Sequence, residues 1–194
     1  MRTSWIGTLM TPALLVGMVA GCSSSNATSG TSADAGNAID AGSSQIPPIG
    51  ASAVTAWLAS GVYKSWHCEP AVHAARPPSP HNVDRVCSND VIANSATGSA
   101  PWPKGAAAVK ELFASTTATT PGGYAVYLKT QADSANGANW YYYGALTVGG
   151  TPVDGMGTDA TVMSTCTGCH LAAGSDAAHT PSPGGRDEVY TPVQ

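Results

Sequence analysis

The chain has 194 residues, which is enough for one domain or for one domain with a tail. Its 8 basic and 12 acidic residues make it poor in charge, which excludes a coiled coil, a charged linker and a basic nucleic-acid reader. With a net charge of −4 we expect no nucleic-acid partner. Apolar residues make up 43% of the chain, which excludes disorder along its whole length. The 22 Gly and 14 Pro argue against a helix bundle, and we expect a mainly β fold with a few helices (α+β).

The N-terminus is similar to a bacterial lipoprotein signal. Arg2 precedes an apolar run over residues 5–20, which is shorter than the roughly 20 residues that a membrane-spanning helix needs. We predict a signal peptide over residues 1–21 and a lipid on Cys22, the first residue of the mature protein. An ordinary signal peptide with a chance cysteine is the alternative. The lipid would anchor the protein to a bacterial membrane, with its domain in the periplasm or outside the cell.

A flexible linker and a short helix follow the signal. Residues 22–50 are mostly Ser, Ala, Gly, Asn and Asp with little apolar bulk, which is typical of a tether. The folded domain is expected over residues 51–194, a length that can bury a core. Its first element is a predicted amphipathic helix over Ala51–Ser60, because Val54, Trp57 and Leu58 recur at three- and four-residue intervals up to that point.

Two of the five cysteines form a predicted disulfide. Cys22 is assigned to the lipid and two others belong to a motif near the C-terminus, which leaves Cys68 and Cys87 as a pair. An oxidising compartment favours a disulfide, worth about 3 kcal/mol in the chain-entropy description. A redox-active or metal-binding pair is the alternative. The Pro- and His-rich segment over residues 69–83 is a predicted loop held by this bond.

Several strands are predicted in the middle of the chain. Residues 85–93 form a candidate strand, whereas residues 106–113 are compatible with either a helix or a strand. Tyr124 to Lys129 alternates, with Tyr124, Val126 and Leu128 on one face. A polar hairpin-like loop over residues 131–139 leads to a further strand over residues 140–148. The face of that last strand turned towards the core is expected to carry Trp140, Tyr142, Leu146 and Val148.

The sequence Cys166–Thr167–Gly168–Cys169–His170 carries the chemistry. Two thiols three positions apart can reach the two vinyl groups of one haem, and the histidine that follows can ligate the iron. A thioredoxin-like pair would need a βαβ context and a zinc site would need two more ligands, and neither pattern surrounds the motif. We therefore predict a covalent c-type haem on Cys166 and Cys169, with His170 as the metal ligand, presented by a helix or turn over residues 158–169.

The position of the motif favours an iron with one open face. Only 24 residues follow His170, and none of them is a methionine. A small electron-carrier cytochrome carries its motif near the start and its axial methionine far downstream, which is not the layout here. We predict a five-coordinate haem. Candidates for a second ligand remain, each more consistent with a surface or packing role: Met156, Met163, His67, His73 and His81.

The chain resembles the cytochrome P-460 family, which includes the cytochromes c′-beta. The resemblance extends over residues 63–190 and depends on short matches in order: Tyr63–Lys64–Ser65–Trp66, Asp84–Arg85, Pro103–Lys104–Gly105 with Val109–Lys110–Glu111–Leu112, Asn139–Trp140, Cys166 to His170, and Asp187–Glu188–Val189–Tyr190–Thr191. It implies an antiparallel β-fold packed on a covalently attached haem, a homodimer and a five-coordinate iron.

The resemblance also implies roles for two basic residues. Lys110 matches the lysine that links covalently to the haem ring in true cytochromes P-460, and Arg85 matches a distal arginine that contacts the bound ligand. A solvated lysine and a surface ion pair are the alternative interpretations of these positions. The distal carboxylate of the family's hydroxylamine oxidisers falls near Ala125, which cannot accept a proton.

Three functions remain open at this point. The first is binding and oxidation of hydroxylamine or nitric oxide, with electrons passed to a partner cytochrome and with Arg85 and Lys110 acting at the haem. The second is non-enzymatic gas binding at an unmodified haem, as in a cytochrome c′-beta. The third is plain electron transfer by a lipoprotein with a six-coordinate haem.

Overall fold

The computed structural model describes residues 45–77, 79–147, 149–179 and 184–194. The predicted signal peptide, Cys22 and most of the predicted linker lie outside the described residues. Residues 46–50, which the composition assigns to the linker, contact the fold, since Pro47 is buried and the Gly50 amide donates to the Tyr141 hydroxyl over 2.9 Å. Among the described residues, no helix is both long enough and apolar enough to cross a bilayer.

One antiparallel sheet dominates the fold, and the prediction of a mainly antiparallel α+β fold is confirmed. The sheet order is β1-β3-β4-β5-β6-β7, and β2 also pairs with β3. The strands are β1 (His67–Cys68), β2 (His73–Ala74), β3 (Val83–Ser88), β4 (Ala107–Leu112), β5 (Gly123–Lys129), β6 (Trp140–Ala145) and β7 (Val153–Met156). The helices are α1 (Ala51–Ser60), α2 (Asp90–Ser95), α3 (Ala160–Val162) and α4 (Gly168–His170), with a π-helical turn over Met163–Thr167 between the last two.

Helix α1 has the predicted bounds and covers one face of the sheet. Its Val54 and Leu58 are buried, and Gly61 ends the helix with a positive φ of 70° that glycine adopts without strain. This first core also contains Tyr63, Trp66, Cys87, Ala107, Val109, Val126, Leu128, Tyr141 and Tyr143.

The second face of the sheet is buried as well. Val86, Ala108, Tyr127, Trp140 and Tyr142 point to this face and pack with Val162 and Val189 from the C-terminal third of the chain. The expectation of one core-facing side on β6 is therefore wrong, because both sides of that strand are covered. The strand also ends at Ala145, so Leu146 is 56% exposed, while Val148 lies outside the described residues.

The structure corrects the prediction for one segment and decides between two alternatives for another. The candidate strand over residues 85–93 ends at Ser88, because the Asn89 side chain accepts the Ile92 amide over 3.3 Å and begins α2. The ambiguous segment over residues 106–113 is strand β4, whose alanines pair with Leu128 and Tyr127 in the centre of the sheet. Buried alanines are compatible with either a helix or a strand, and here the pairing with β5 makes the segment a strand.

Cys68 and Cys87 lie opposite each other in the β1–β3 register, with their Sγ atoms 2.01 Å apart. Cys87 is fully buried in the first core. The bond closes the segment between them. The predicted loop over residues 69–83 is interrupted by β2, which pairs with β3, and β3 begins at its last residue, Val83.

A buried ion pair attaches the C-terminal segment to the sheet. Lys129 at the end of β5 has no exposed side-chain surface, and its Nζ lies 2.5 Å from Asp187 Oδ2 and 2.7 Å from Ser134 Oγ. The same carboxylate accepts the Trp102 amide over 2.7 Å. Burial raises the pKa of Asp187, but the hydrogen bonds from Lys129, Ser134 and Trp102 outweigh burial and hold it below its ordinary value. Asp187 is therefore a paired anion at neutral pH.

Replacing Lys129 by methionine should lower the free energy of unfolding at pH 7 by about 3–5 kcal/mol, because it leaves the Asp187 carboxylate buried without its partner. Urea denaturation measures the change. Because the pKa of Asp187 is depressed in the fold, its contribution is present above its ordinary pKa and is lost as the pH falls through the folded value, so the difference should shrink in acid. Adding Asp187→Asn should recover part of the loss. The exposed Lys104→Met is the control, and a Lys129→Met protein within 1 kcal/mol of wild type, on the order of ordinary surface changes, would contradict this account.

Candidate functional site

The Cys166–His170 motif lies on the helical segment that follows β7. The Asp159 carboxylate accepts the Met156 amide over 2.8 Å at the start of the segment, and the buried Val162 anchors it in the second core. The turn over Met163–Thr167 is π-helical, a form that is frequent at functional sites. The expectation of a helix or turn presenting the thiols agrees with this geometry.

Gly168 allows the tight passage from the π-helical turn to α4. A Cβ atom at this position would lie 2.8 Å from the Met163 carbonyl oxygen, closer than real Cβ contacts come. Its φ of −56° is ordinary for a helix, so the requirement is for space and not for an unusual backbone conformation. The glycine between the two cysteines therefore keeps both thiols on one turn.

A cavity of about 380 Å³ opens beside the motif on the second face of the sheet. Cys166, Cys169 and His170 line it together with Tyr190 of the C-terminal segment. The sheet contributes a second wall. The remaining lining comes from two connecting segments, through Arg76, Ser79, Pro80 and His81 and through Leu146, Thr147, Gly150 and Thr151. Such a volume is within the usual range of small-molecule and cofactor sites.

His170 is oriented by a backbone carbonyl and by three aromatic rings. Its Nδ1 donates to the Glu188 carbonyl oxygen over 2.6 Å, which assigns the proton to Nδ1 and leaves the lone pair of Nε2 available. The edges of Tyr127, Tyr142 and Tyr190 pack around the imidazole, with ring centroids 5.4–5.8 Å away. Burial lowers the pKa of His170 to about 4, so the ring is neutral, as a metal ligand requires.

The carbonyl that holds His170 belongs to a tight turn. Asp187 and Glu188 both have positive φ, at 45° and 71°, and the turn is closed by mutual hydrogen bonds between Arg186 and Val189. The Glu188 side chain is buried and accepts the Tyr142 hydroxyl, and burial raises its pKa to about 7. Sequence reasoning assigned no role to Glu188. Its contact with His170 uses the backbone, which leaves no side-chain signal in the sequence.

The two motif thiols differ in environment. Cys166 is half-buried against the second core, and burial raises its pKa to about 11. Cys169 is exposed, and the Tyr190 hydroxyl lies 3.9 Å from its Sγ and donates to its carbonyl oxygen over 2.8 Å. Neither thiol forms a disulfide, so both are available for attachment at the cavity wall.

Lys110 reaches the cavity from β4. Its side chain is 15% exposed, and its Nζ lies 3.0 Å from Oδ2 of the buried Asp84 on β3. Ala125, its register partner on β5, also lines the cavity. The structure therefore brings Lys110 to the same cavity as Cys166, Cys169 and His170, and an interpretation of Lys110 as a solvated surface residue does not fit its burial.

Arg85 is on the opposite face of the sheet, which corrects the distal role that the resemblance implies. Successive residues of a strand point to opposite faces, so Arg85 points away from the cavity that its neighbours Asp84 and Val86 line. It forms an ion pair with Glu111, with 2.6 Å between Arg85 Nη2 and Glu111 Oε2, and the Tyr63 hydroxyl donates to the same carboxylate over 2.7 Å. Arg85 is therefore a structural partner of Glu111.

One of the candidate second ligands from the sequence lines the cavity. His67 pairs with Asp90 over 2.9 Å, His73 pairs with Glu69 over 2.9 Å, and Met156 packs against the first core. His81, in contrast, belongs to the cavity wall together with Arg76 from the same loop. Met163 is absent from the described lining residues.

These observations fit a c-type haem. The site combines two unpaired thiols three residues apart, an imidazole with its Nε2 lone pair available, and a cavity with aromatic walls that all three groups line. No protein-family model and no curated protein matches the chain. The resemblance to the cytochrome P-460 family therefore rests on the short sequence matches over residues 63–190 alone.

Replacing Gly168 by alanine should disrupt the π-helical turn, since the added Cβ would have to displace the Met163 carbonyl. We expect a loss of stability of about 1–3 kcal/mol, as for overpacked positions, and a lower yield of haem-loaded protein. Thermal unfolding and the haem-to-protein ratio measure the two effects. Gly122→Ala is the matched control, because its nearest Cβ contact is an ordinary 3.8 Å. Equal behaviour of the two variants would refute the steric requirement.

Proposed function

We propose that this chain is a c-type monohaem cytochrome of P-460 type, with its haem attached to Cys166 and Cys169 and its iron ligated by His170. One observation carries the proposal: both thiols and an imidazole with a fixed tautomer line a single cavity. In this proposal the lipid on Cys22 tethers the domain to a bacterial membrane on its periplasmic or outer side.

The residues around His170 support the role of a proximal ligand. The Glu188 carbonyl fixes the ring, and hydrogen bonding at Nδ1 raises the basicity of Nε2. Tyr127, Tyr142 and Tyr190 restrict its rotation and keep water from that side of the ring. When bound, the haem would supply a redox-active Lewis acid at this position.

The polar part of the cavity suits a small nitrogen ligand. Lys110 and Asp84 form an ion pair there, next to Arg76 and His81, so a ligand such as hydroxylamine or nitric oxide would meet hydrogen-bonding groups in an otherwise aromatic site. In this proposal the ligand is oxidised and its electrons pass to a partner cytochrome. The proposal includes the homodimer that the resemblance implies.

Lys110 is the proposed modifier of the haem ring. A bond from Lys110 Nζ to a bound haem ring would replace one N–H bond and one ring C–H bond by a C–N bond. It would release two electrons and two protons, and a two-electron oxidant of the peroxide class would have to accept the electrons. The amine would first have to lose its proton and leave its ion pair with the Asp84 carboxylate, which lies 3.0 Å from Nζ.

The same ion pair supports a second candidate function. Asp84 holds Lys110 Nζ in an ion pair over 3.0 Å, so the amine is already committed to a partner within the protein. In that case the haem stays unmodified, and the protein binds nitric oxide without turnover, as a cytochrome c′-beta does.

Intact-protein mass spectrometry tests the attachment. Protein produced in cells with a cytochrome c maturation system should carry the mass of one haem under denaturing conditions, and the double variant Cys166→Ala/Cys169→Ala should carry none. The matched control is Cys68→Ala/Cys87→Ala, which also removes two cysteines but should keep the haem. The proposal would be refuted if the wild-type protein carried no added mass although the same cells attach haem to another c-type cytochrome.

Replacing Lys110 separates the two candidate functions. If Lys110 modifies the ring, Lys110→Arg should move the ferrous Soret band to the position of an ordinary high-spin c-type haem, while keeping a cation beside Asp84. Lys110→Ala should give the same shift, and the exposed Lys104→Ala should give none. A spectrum unchanged by both Lys110 substitutions would reject the ring modification and leave the gas-binding function.

A further inference from the structure

His81 reaches the cavity from a loop that the sheet holds in place. The Ala75 amide donates to the Asn82 carbonyl over 2.7 Å, which closes the loop at its base. Arg76 within the loop forms an ion pair with the buried Glu69, with 2.7 Å between Nη2 and Oε1. The Ser79 amide donates to the Arg76 carbonyl over 2.9 Å. These contacts fix the position of His81 without involving its imidazole.

The imidazole of His81 lies within electrostatic range of Lys110 and Asp84, which line the same cavity. Within the described residues it forms no hydrogen bond, whereas the His81 backbone amide lies 3.4 Å from Ser79 Oγ. His67, His73 and His179 each have a carboxylate partner within 2.9 Å. His81 thus differs from these three in offering an uncommitted ring to a site that also contains His170.

Burial, with a contribution from the Lys110 cation, keeps His81 neutral. Burial and the Lys110 cation lower its pKa to about 4, and the Asp84 anion opposes them. Arg76 of the same loop and His170 of α4 line the same cavity. The other titratable groups of its lining are Tyr127, Tyr142, Tyr143, Tyr190, Cys166 and Cys169. At neutral pH a ring nitrogen of His81 therefore has a lone pair that can accept a proton.

We infer that His81 is the proton acceptor for ligands that bind in this cavity as anions. The inference rests on the proposed function, because the haem iron supplies the binding position. A weak acid H–X would enter the cavity, its proton would move to a ring nitrogen of His81, and X⁻ would keep the bonding electron pair with which it binds. Neutral ligands without an acidic proton would need no such step.

Hydrogen cyanide and nitric oxide are a matched pair of probes for this step. Hydrogen cyanide must lose a proton to bind, and nitric oxide has none to lose. In stopped-flow measurements on the ferric holoprotein at pH 7, His81→Leu should slow cyanide binding by roughly 100-fold, the scale of general base catalysis. The nitric oxide rate should change less than threefold, on the order of a steric effect on access. His81→Gln, which keeps polarity and size, should behave like His81→Leu.

Each other outcome overturns the inference in a recognisable way. Equal slowing of both probes would assign His81 a steric role, and unchanged cyanide binding would assign it none. A wild-type spectrum that is low-spin and becomes high-spin in His81→Leu would make His81 an iron ligand. Purified protein without covalent haem, or a low-spin haem ligated by His81, would overturn the proposed function itself, whereas the two outcomes that concern only the probe rates leave that function standing.

Discussion

The buried Lys129–Asp187 ion pair is the contact on which the candidate site depends. Lys129 is the last residue of β5. Through its ion pair with Asp187 it holds the turn over Arg186–Val189 against the sheet. That turn presents the Glu188 carbonyl to His170, so a pair with no side chain in the cavity sets the orientation of the proposed iron ligand. Removing either charge alone would leave the other one buried without its partner, which is strongly destabilising.

Strand alternation decides which charged residues serve the cavity. Asp84 and Lys110 point to the second face and pair there, whereas their neighbours Arg85 and Glu111 point to the first face and pair there. Two ion pairs thus lie back to back across the same two strands, and one of them belongs to the site. The cavity combines this polar patch with a tyrosine-lined wall around His170, which suits a cofactor that needs a fixed ligand on one side and polar contacts elsewhere.

Some elements of the fold can be predicted from the sequence, whereas others depend on contacts between distant parts of the chain. The strand at β5 and the bounds of α1 were predictable from the spacing of their apolar residues, and Val126 and Leu128 do share the first core. In β6 the run Trp140–Tyr141–Tyr142–Tyr143 is buried on both sides, so its pattern contains no contrast from which to choose a face. The burial of that second side comes from Val162 and Val189, far along the chain.

The candidate site also combines residues that the local sequence identifies with residues whose roles depend on the fold. The cysteines and His170 are adjacent in sequence and could be identified as a unit, whereas Arg85 was assigned by resemblance without knowledge of the face on which it lies. The role of Glu188 depends on a backbone carbonyl in a positive-φ turn, and that of His81 on the closure of a loop. Both depend on long-range geometry that residue types do not encode locally.

The absorption spectrum of the ferrous holoprotein, recorded before and after addition of carbon monoxide, tests the central claim most directly. A covalent haem held by His170 with one open face predicts a high-spin spectrum that shifts promptly when the gas is added. A sharp low-spin spectrum that carbon monoxide leaves unchanged would show two strong axial ligands and would contradict the account.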